Sequence, residues 1–131
     1  MTSGMFKSGS QHWATPKDLY DSLNQEFNFN DDPCPLYDSG GLDREWGSRT
    51  FVNPPYGRAI TVWLEKAYTE YSKGKTIVCL IPSRTDTKWW HNYCMKADEI
   101  RFLRGRLKFG DSKNSAPFPS AIVIFGGNYD R

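Results

Sequence analysis

The chain is poor in the residues that staple or metallate small proteins. Its cysteines, Cys34, Cys79 and Cys94, are odd in number, widely spaced and form no C-x-x-C pair. That argues against a disulfide scaffold and, with no signal peptide, points to a reducing cytoplasm. Histidine is scarcer still. A zinc site would have to recruit His12 and His91 from distant segments, so no metal is expected. No apolar stretch approaches a membrane span, and no membrane association is expected. Charge of one sign is not in excess: the formal net charge is +2, too small to name a partner. No repeat or internal linker breaks the 131 residues, which suit one domain.

What is present is an aromatic-rich, folding-competent chain. Hydrophobic residues make up 38%, enough for a real core. The 5 Trp, 7 Tyr and 8 Phe can fill that core or serve as stacking platforms for bases. Charge is unevenly spread. Arg101, Arg104, Arg106, Lys108 and Lys113 stand against the single acid Asp111. This cluster reads either as a solvated strand face or as a phosphate contact.

Residues 1 to 11 are rich in Ser, Gly and Lys and read as a flexible segment; residues 12 to 131 form the domain. Thr15-Pro16-Lys17-Asp18 predicts a helix start, with Thr15 as cap and Leu19, Leu23 and Phe27 as its buried stripe. Phe27 to Asp32 reads as a short strand stopped by Pro33 and Pro35. Arg49 to Val52 reads as a strand running into Asn53-Pro54-Pro55-Tyr56-Gly57. Residues 58 to 72 have a helical period, closed by Gly74. Thr76 to Ile81 is a continuous apolar run, as in a central strand covered on both faces. Asp86 is a candidate cap for a short helix through Trp89 and Trp90, of which one should be core. Glu99 to Leu103, Arg106 to Phe109 and Ser120 to Phe125 read as strands. The order predicts an α/β fold, mostly parallel, with an antiparallel C-terminal pair. Asp32, Asn53 and Ser83 all follow strand ends and should share the edge where ligands bind in such sheets.

Asn53-Pro54-Pro55-Tyr56 carries a specific chemistry. An exocyclic amine on a base is a poor nucleophile, because its lone pair is delocalised into the ring. The Asn53 side-chain oxygen can accept one N–H bond and the Pro54 carbonyl the other. Two acceptors on one nitrogen push it toward a tetrahedral geometry and free the lone pair for a sulfonium methyl. The prolines hold the acceptors rigid, and Tyr56 offers a flat stacking face. A base in a duplex must be flipped out to reach such a loop.

The chain resembles the phage-type DNA N6-adenine methyltransferases, the small Dam-like enzymes of phages and prophages. The resemblance runs from about Trp13 to Phe125. It rests on Trp13-Ala14-Thr15-Pro16, Asp32 with Cys34, Gly41-Leu42 with Trp46, Asn53 to Gly57, Arg84 to Trp89, Gly105 to Phe109 and Ser115 to Ser120. It implies an abbreviated class I (Rossmann-like) methyltransferase fold, S-adenosylmethionine as cofactor and adenine N6 in DNA as acceptor, in the cytoplasm of a bacterial host. It assigns catalysis to Asn53, Pro54, Pro55 and Tyr56. It assigns cofactor binding to Trp13, Thr15, Pro16, Asp32 and Cys34.

Residues beside these are candidates for DNA contact. Arg84 and Lys88 follow the central strand on the expected active edge. Arg104, Arg106 and Lys108 alternate with apolar residues and could present one face to phosphates, with Lys113 in the loop beyond. Phe118 could wedge into a base step or pack onto the sheet end. The pattern also departs from the wider class. No F-x-G-x-G loop follows the first strand, and only 20 residues separate Asp32 from Asn53. The sheet must be shortened, or completed by a partner such as a second copy. Two alternatives stay open: a DNA-binding module without catalysis, and the same chemistry on cytosine N4, RNA guanine N2 or protein glutamine.

Overall fold

The computed structural model describes residues 13–35, 40–110 and 114–127. His12 and Lys113, and the segment 1 to 11, lie outside them. Helix α1 spans Lys17–Phe27, with Leu23 buried. Thr15 does not cap it. Pro16 occupies the N-cap position without a side-chain cap bond, and its carbonyl accepts from the Tyr20 N–H at 3.0 Å. The helix ends at Asn28, whose φ of 55° is left-handed. Asn24 secures this turn: its carbonyl accepts from the Asn28 N–H and its side chain from the Phe29 N–H.

The strand expected over Phe27 to Asp32 is therefore mostly absent. Phe27 is consumed by α1, Asn28 redirects the chain, and Pro33 follows too soon. What survives is one parallel bridge between Asp31 and Thr50. The remaining elements are β1 (Arg49–Val52), α2 (Ile60–Ser72), β2 (Thr76–Pro82), α3 (Lys88–Asn92), β3 (Glu99–Phe102) and β4 (Ser120–Phe125). The sheet order is β1-β2-β4-β3. The β1–β2 ladder is parallel, while β4 runs antiparallel to both β2 and β3. Inserting β4 between them makes the sheet mixed rather than mostly parallel. Arg106 to Phe109 is not a strand; between Phe102 and Ser120 the described residues keep isolated bonds, such as Ala116 N–H to the Leu107 carbonyl at 2.7 Å.

Phe51, Val78 and Ile124 are in register on one face, where Tyr20 of α1 meets Phe51 edge-on at 5.1 Å. On the other face α2 buries Ile60, Trp63, Leu64 and Ala67, and its Tyr71 ring reaches Phe125 at 5.6 Å. Covered on both sides, β2 and β4 are buried almost throughout, as the apolar run at 76 to 81 predicts. In α3 it is Thr87, not Asp86, that caps: its hydroxyl accepts from the Trp90 N–H at 3.2 Å. Trp90 is the core tryptophan of its pair.

Two devices pin the loop before β1. A Cβ on Gly41 would stand 2.0 Å from the Pro33 carbonyl oxygen, so only glycine permits this approach. The Trp46 indole N–H donates to the Gly41 carbonyl at 2.7 Å, and its ring stacks on Trp63. Below it, Glu70 is fully covered and accepts from the Trp46 N–H at 3.2 Å. Lys66, Lys73 and Lys75 pair with the same carboxylate. Three ammonium groups and a backbone N–H thus compensate the one covered carboxylate.

Candidate active site

Asn53 begins the loop that leaves β1. Its side chain is only 3% exposed and its amide nitrogen is fully engaged. The Nδ2 group donates to the Trp13 carbonyl and, at 3.0 Å, to the Thr15 hydroxyl. The Oδ1 atom accepts from the Tyr56 hydroxyl at 3.0 Å. That hydroxyl also reaches the Leu80 carbonyl at 3.1 Å. A phenol has one proton, so the two acceptors share it. Burial pushes the Tyr56 phenol well above its ordinary pKa, which keeps it a donor. Pro54 is buried and Pro55 partly so. Gly57, at φ 92°, then turns the chain into α2.

Tyr56 differs from its expected role. It is 6% exposed, and its ring meets Phe118 and Phe109 edge-on at 5.4 and 6.3 Å. Its face is inside the protein, and its hydroxyl is what addresses Asn53. Phe118 is also buried and packs on Trp13 at 5.7 Å, so a DNA wedge does not match its place. Trp13, Tyr56, Phe109 and Phe118 form one aromatic cluster that clasps the amino-terminal segment against the Asn53 loop.

Beside Asn53 lies a cavity of about 350 Å³. Thr15, Asp32 and Cys34 line it, as does Asn53. The structure thus brings together residues 38 positions apart in sequence, Thr15 and Asn53, with Asp32 between them. Trp13 and Pro16 are near but do not line the cavity. Ala14, Lys17, Tyr20 and Pro35 complete the wall and were missed in the sequence. Lys17 and Tyr20 are three apart on the first turn of α1, a spacing that shares one face and could have flagged them.

The two acids at the end of the vestigial strand have separated. Asp31 takes both Arg44 guanidinium nitrogens, at 2.7 and 2.9 Å, and the Gly47 N–H at 2.9 Å. Burial works to raise its pKa, but these bonds outweigh it and the carboxyl is held low. Asp32 keeps solvent contact at the cavity mouth. Its carboxyl is pushed up to about 6, chiefly by partial burial and secondarily by the Asp31 charge, against a backbone hydrogen bond from Cys34. Cys34, Cys79 and Cys94 are all buried.

The basic candidates are exposed. Arg84, Lys88, Arg104, Arg106 and Lys108 all present their side chains to solvent. The Arg84 guanidinium lies 5.8 Å from the Phe118 ring, which itself touches Tyr56. Arg84 is thus three contacts from Asn53, through Phe118 and Tyr56. Arg101 is not available for phosphate, because Glu26 and Glu99 both pair with it. Ser83, expected on the active edge, bonds through its N–H to the Pro119 carbonyl at 2.9 Å, beside Phe118.

The profile of the DNA N-6-adenine-methyltransferase (Dam) family matches residues 2–125. The chain is also similar to the DNA N-6-adenine-methyltransferase of Haemophilus phage HP1 (strain HP1c1). That similarity is 26% identity over 139 residues, covering 91% of this chain and 80% of the relative. A match of that extent, spanning the cavity, the Asn53 loop and every strand of the sheet, means that the chain belongs to the DNA N-6-adenine-methyltransferase (Dam) family.

Proposed function

We propose that this protein transfers a methyl group from S-adenosylmethionine to the N6 amine of adenine in DNA, on an abbreviated class I methyltransferase fold. The observation that carries the reading is the meeting of Asn53 and Asp32 on the wall of one cavity. Its volume, about 350 Å³, falls within the ~300–1,000 Å³ usual for small-molecule sites. The wall chemistry suits the cofactor. Asp32 is an acceptor for a hydroxyl or ammonium group, and Tyr20, Cys34 and Pro35 offer apolar surface to a planar ring. When bound, the cofactor supplies an electrophilic methyl group.

The residues of the chain supply the rest. Asn53 Oδ1 has two lone pairs, and Tyr56 uses one; the other accepts an N–H of the target amine. The Pro54 carbonyl accepts the second N–H. The amine nitrogen becomes more tetrahedral and its lone pair more available. Pro54 and Pro55 keep both acceptors fixed, so little reorganisation accompanies the reaction. The flipped base costs roughly a few kcal/mol in lost stacking, which contacts in the pocket offset. Arg84, Lys88, Arg104, Arg106 and Lys108 hold the phosphates around it.

The test is incorporation of labelled methyl from S-adenosylmethionine into adenine-containing DNA, followed by digestion and identification of the modified base. N6-methyladenine is expected, and Asn53→Ala should abolish it. A folded protein that labels no DNA, or that labels cytosine N4 instead, would refute the assignment.

A further inference from the structure

We propose that Thr15, together with the Trp13 carbonyl, is a positioning residue that sets the direction of the Asn53 amide. This rests on the reading of Asn53 as acceptor for the target amine. An asparagine amide is nearly symmetric in shape, and only its neighbours decide which end points where. The Trp13 carbonyl is an acceptor and nothing else. It demands the Nδ2 end of Asn53, and the Thr15 hydroxyl at 3.0 Å takes a bond from the same nitrogen. The opposite end is claimed by a donor, the Tyr56 hydroxyl. The reversed amide would set its oxygen against the Trp13 carbonyl oxygen, so one orientation is enforced.

Thr15 is free to do this because it is not spent on the helix. Its hydroxyl does not cap α1, where no side-chain cap bond exists. The segment is held in place by independent contacts. Trp13 packs on Phe109 at 5.6 Å and Phe118 at 5.7 Å, and the Ala14 carbonyl accepts from the Gly110 N–H at 2.9 Å. The clasp fixes the backbone, the backbone and Thr15 fix the amide, and the amide presents its oxygen.

The experiment uses the full chain with Thr15→Val and Thr15→Ser. Three quantities are read: the single-turnover rate at saturating S-adenosylmethionine, the cofactor affinity by calorimetry, and the Asn53 side-chain amide resonances. Those resonances are assigned by their loss in Asn53→Ala. Thr15→Val should slow the rate roughly 10- to 100-fold, as expected for a misplaced catalytic group. The cofactor dissociation constant should stay within about threefold, and Thr15→Ser should restore most of the rate. The Asn53 amide signals should shift in Thr15→Val and recover in Thr15→Ser. Weakened cofactor binding with an unchanged saturated rate would overturn the proposal and make Thr15 a cofactor contact. If Thr15→Val does not fold, Thr15→Ala serves in its place. Should the unmodified protein methylate no DNA, the proposed function fails, while the resonances still decide whether Thr15 orients Asn53: no shift overturns it.

Discussion

Asp31 and Asp32 share a peptide bond and serve opposite ends of the molecule's needs. Asp31 is bound by Arg44 and Gly47 and anchors the loop before β1. Asp32, one residue on, is left to the cavity. The division explains why one carboxyl is held low and the other is pushed up to about 6.

Asp32 should leave a signature in pH. Its folded pKa lies above the unfolded value of about 3.9, so the folded state binds the extra proton between the two. Stability contributed by this group is therefore present at low pH and lost as pH rises from about 4 through 6. Asp32→Asn should melt higher than the parent at pH 7 to 8, with the gap closing below pH 4. The same variant should bind S-adenosylmethionine more weakly. Melting curves across pH and calorimetry check the two halves.

Glu70 should behave in the reverse sense. Burial works to raise its pKa, but Lys75, the Trp46 N–H, Lys66 and Lys73 outweigh it and hold it at about 2. Its contribution is present above the unfolded value of about 4.3 and is lost as pH falls toward 2. Glu70→Gln should cost about 2–3 kcal/mol at pH 7, since it removes the one charge that Lys66, Lys73, Lys75 and the Trp46 N–H share. Urea unfolding at several pH values should show the difference shrinking below pH 4.

Tyr56→Phe separates two roles for this ring. A stacking face would survive the change, because phenylalanine has the same face. The hydroxyl bonds to Asn53 and Leu80 would not. The rate should fall roughly tenfold and stability by about 1 kcal/mol, the size of one lost hydrogen bond. Single-turnover kinetics beside thermal melting measure both; an unchanged rate would return Tyr56 to stacking.

Arg84→Gln and Lys88→Gln test the nucleic-acid face. Each lost phosphate contact should reduce the slope of log affinity against log salt by about 0.9 on duplex DNA. Both residues are exposed, so stability should change little. DNA-binding titrations at several salt concentrations read the slope directly.

The place of the Asn53 loop was legible because it is local: four consecutive residues between a strand and a helix. The central strand β2 was legible for the same reason, since both of its faces are covered and its run is unbroken. Asn28 was not. Nothing in Phe27-Asn28-Phe29 distinguishes a strand from a helix end until Asn24 closes the turn from within the helix. The burial of Tyr56 and the packing partners of Phe118 were not legible because their surroundings come from elsewhere. Trp13 and Phe109 bury them, and no spacing announces that four rings distant in sequence will meet. Thr15 had a good local role as a cap, and a distant amide took its hydroxyl instead.

The clasp around Trp13 has a consequence for synthesis on the ribosome. Trp13 is made before Asn53, and both are made before Phe109 and Phe118. A nascent chain that already displays Asn53-Pro54-Pro55-Tyr56 still lacks the rings that hold Trp13 over it. The ring cluster around Trp13 is therefore complete only once Phe118 has emerged, and a chain released before Phe109 would lack two of the four rings that hold its amino-terminal segment against the Asn53 loop.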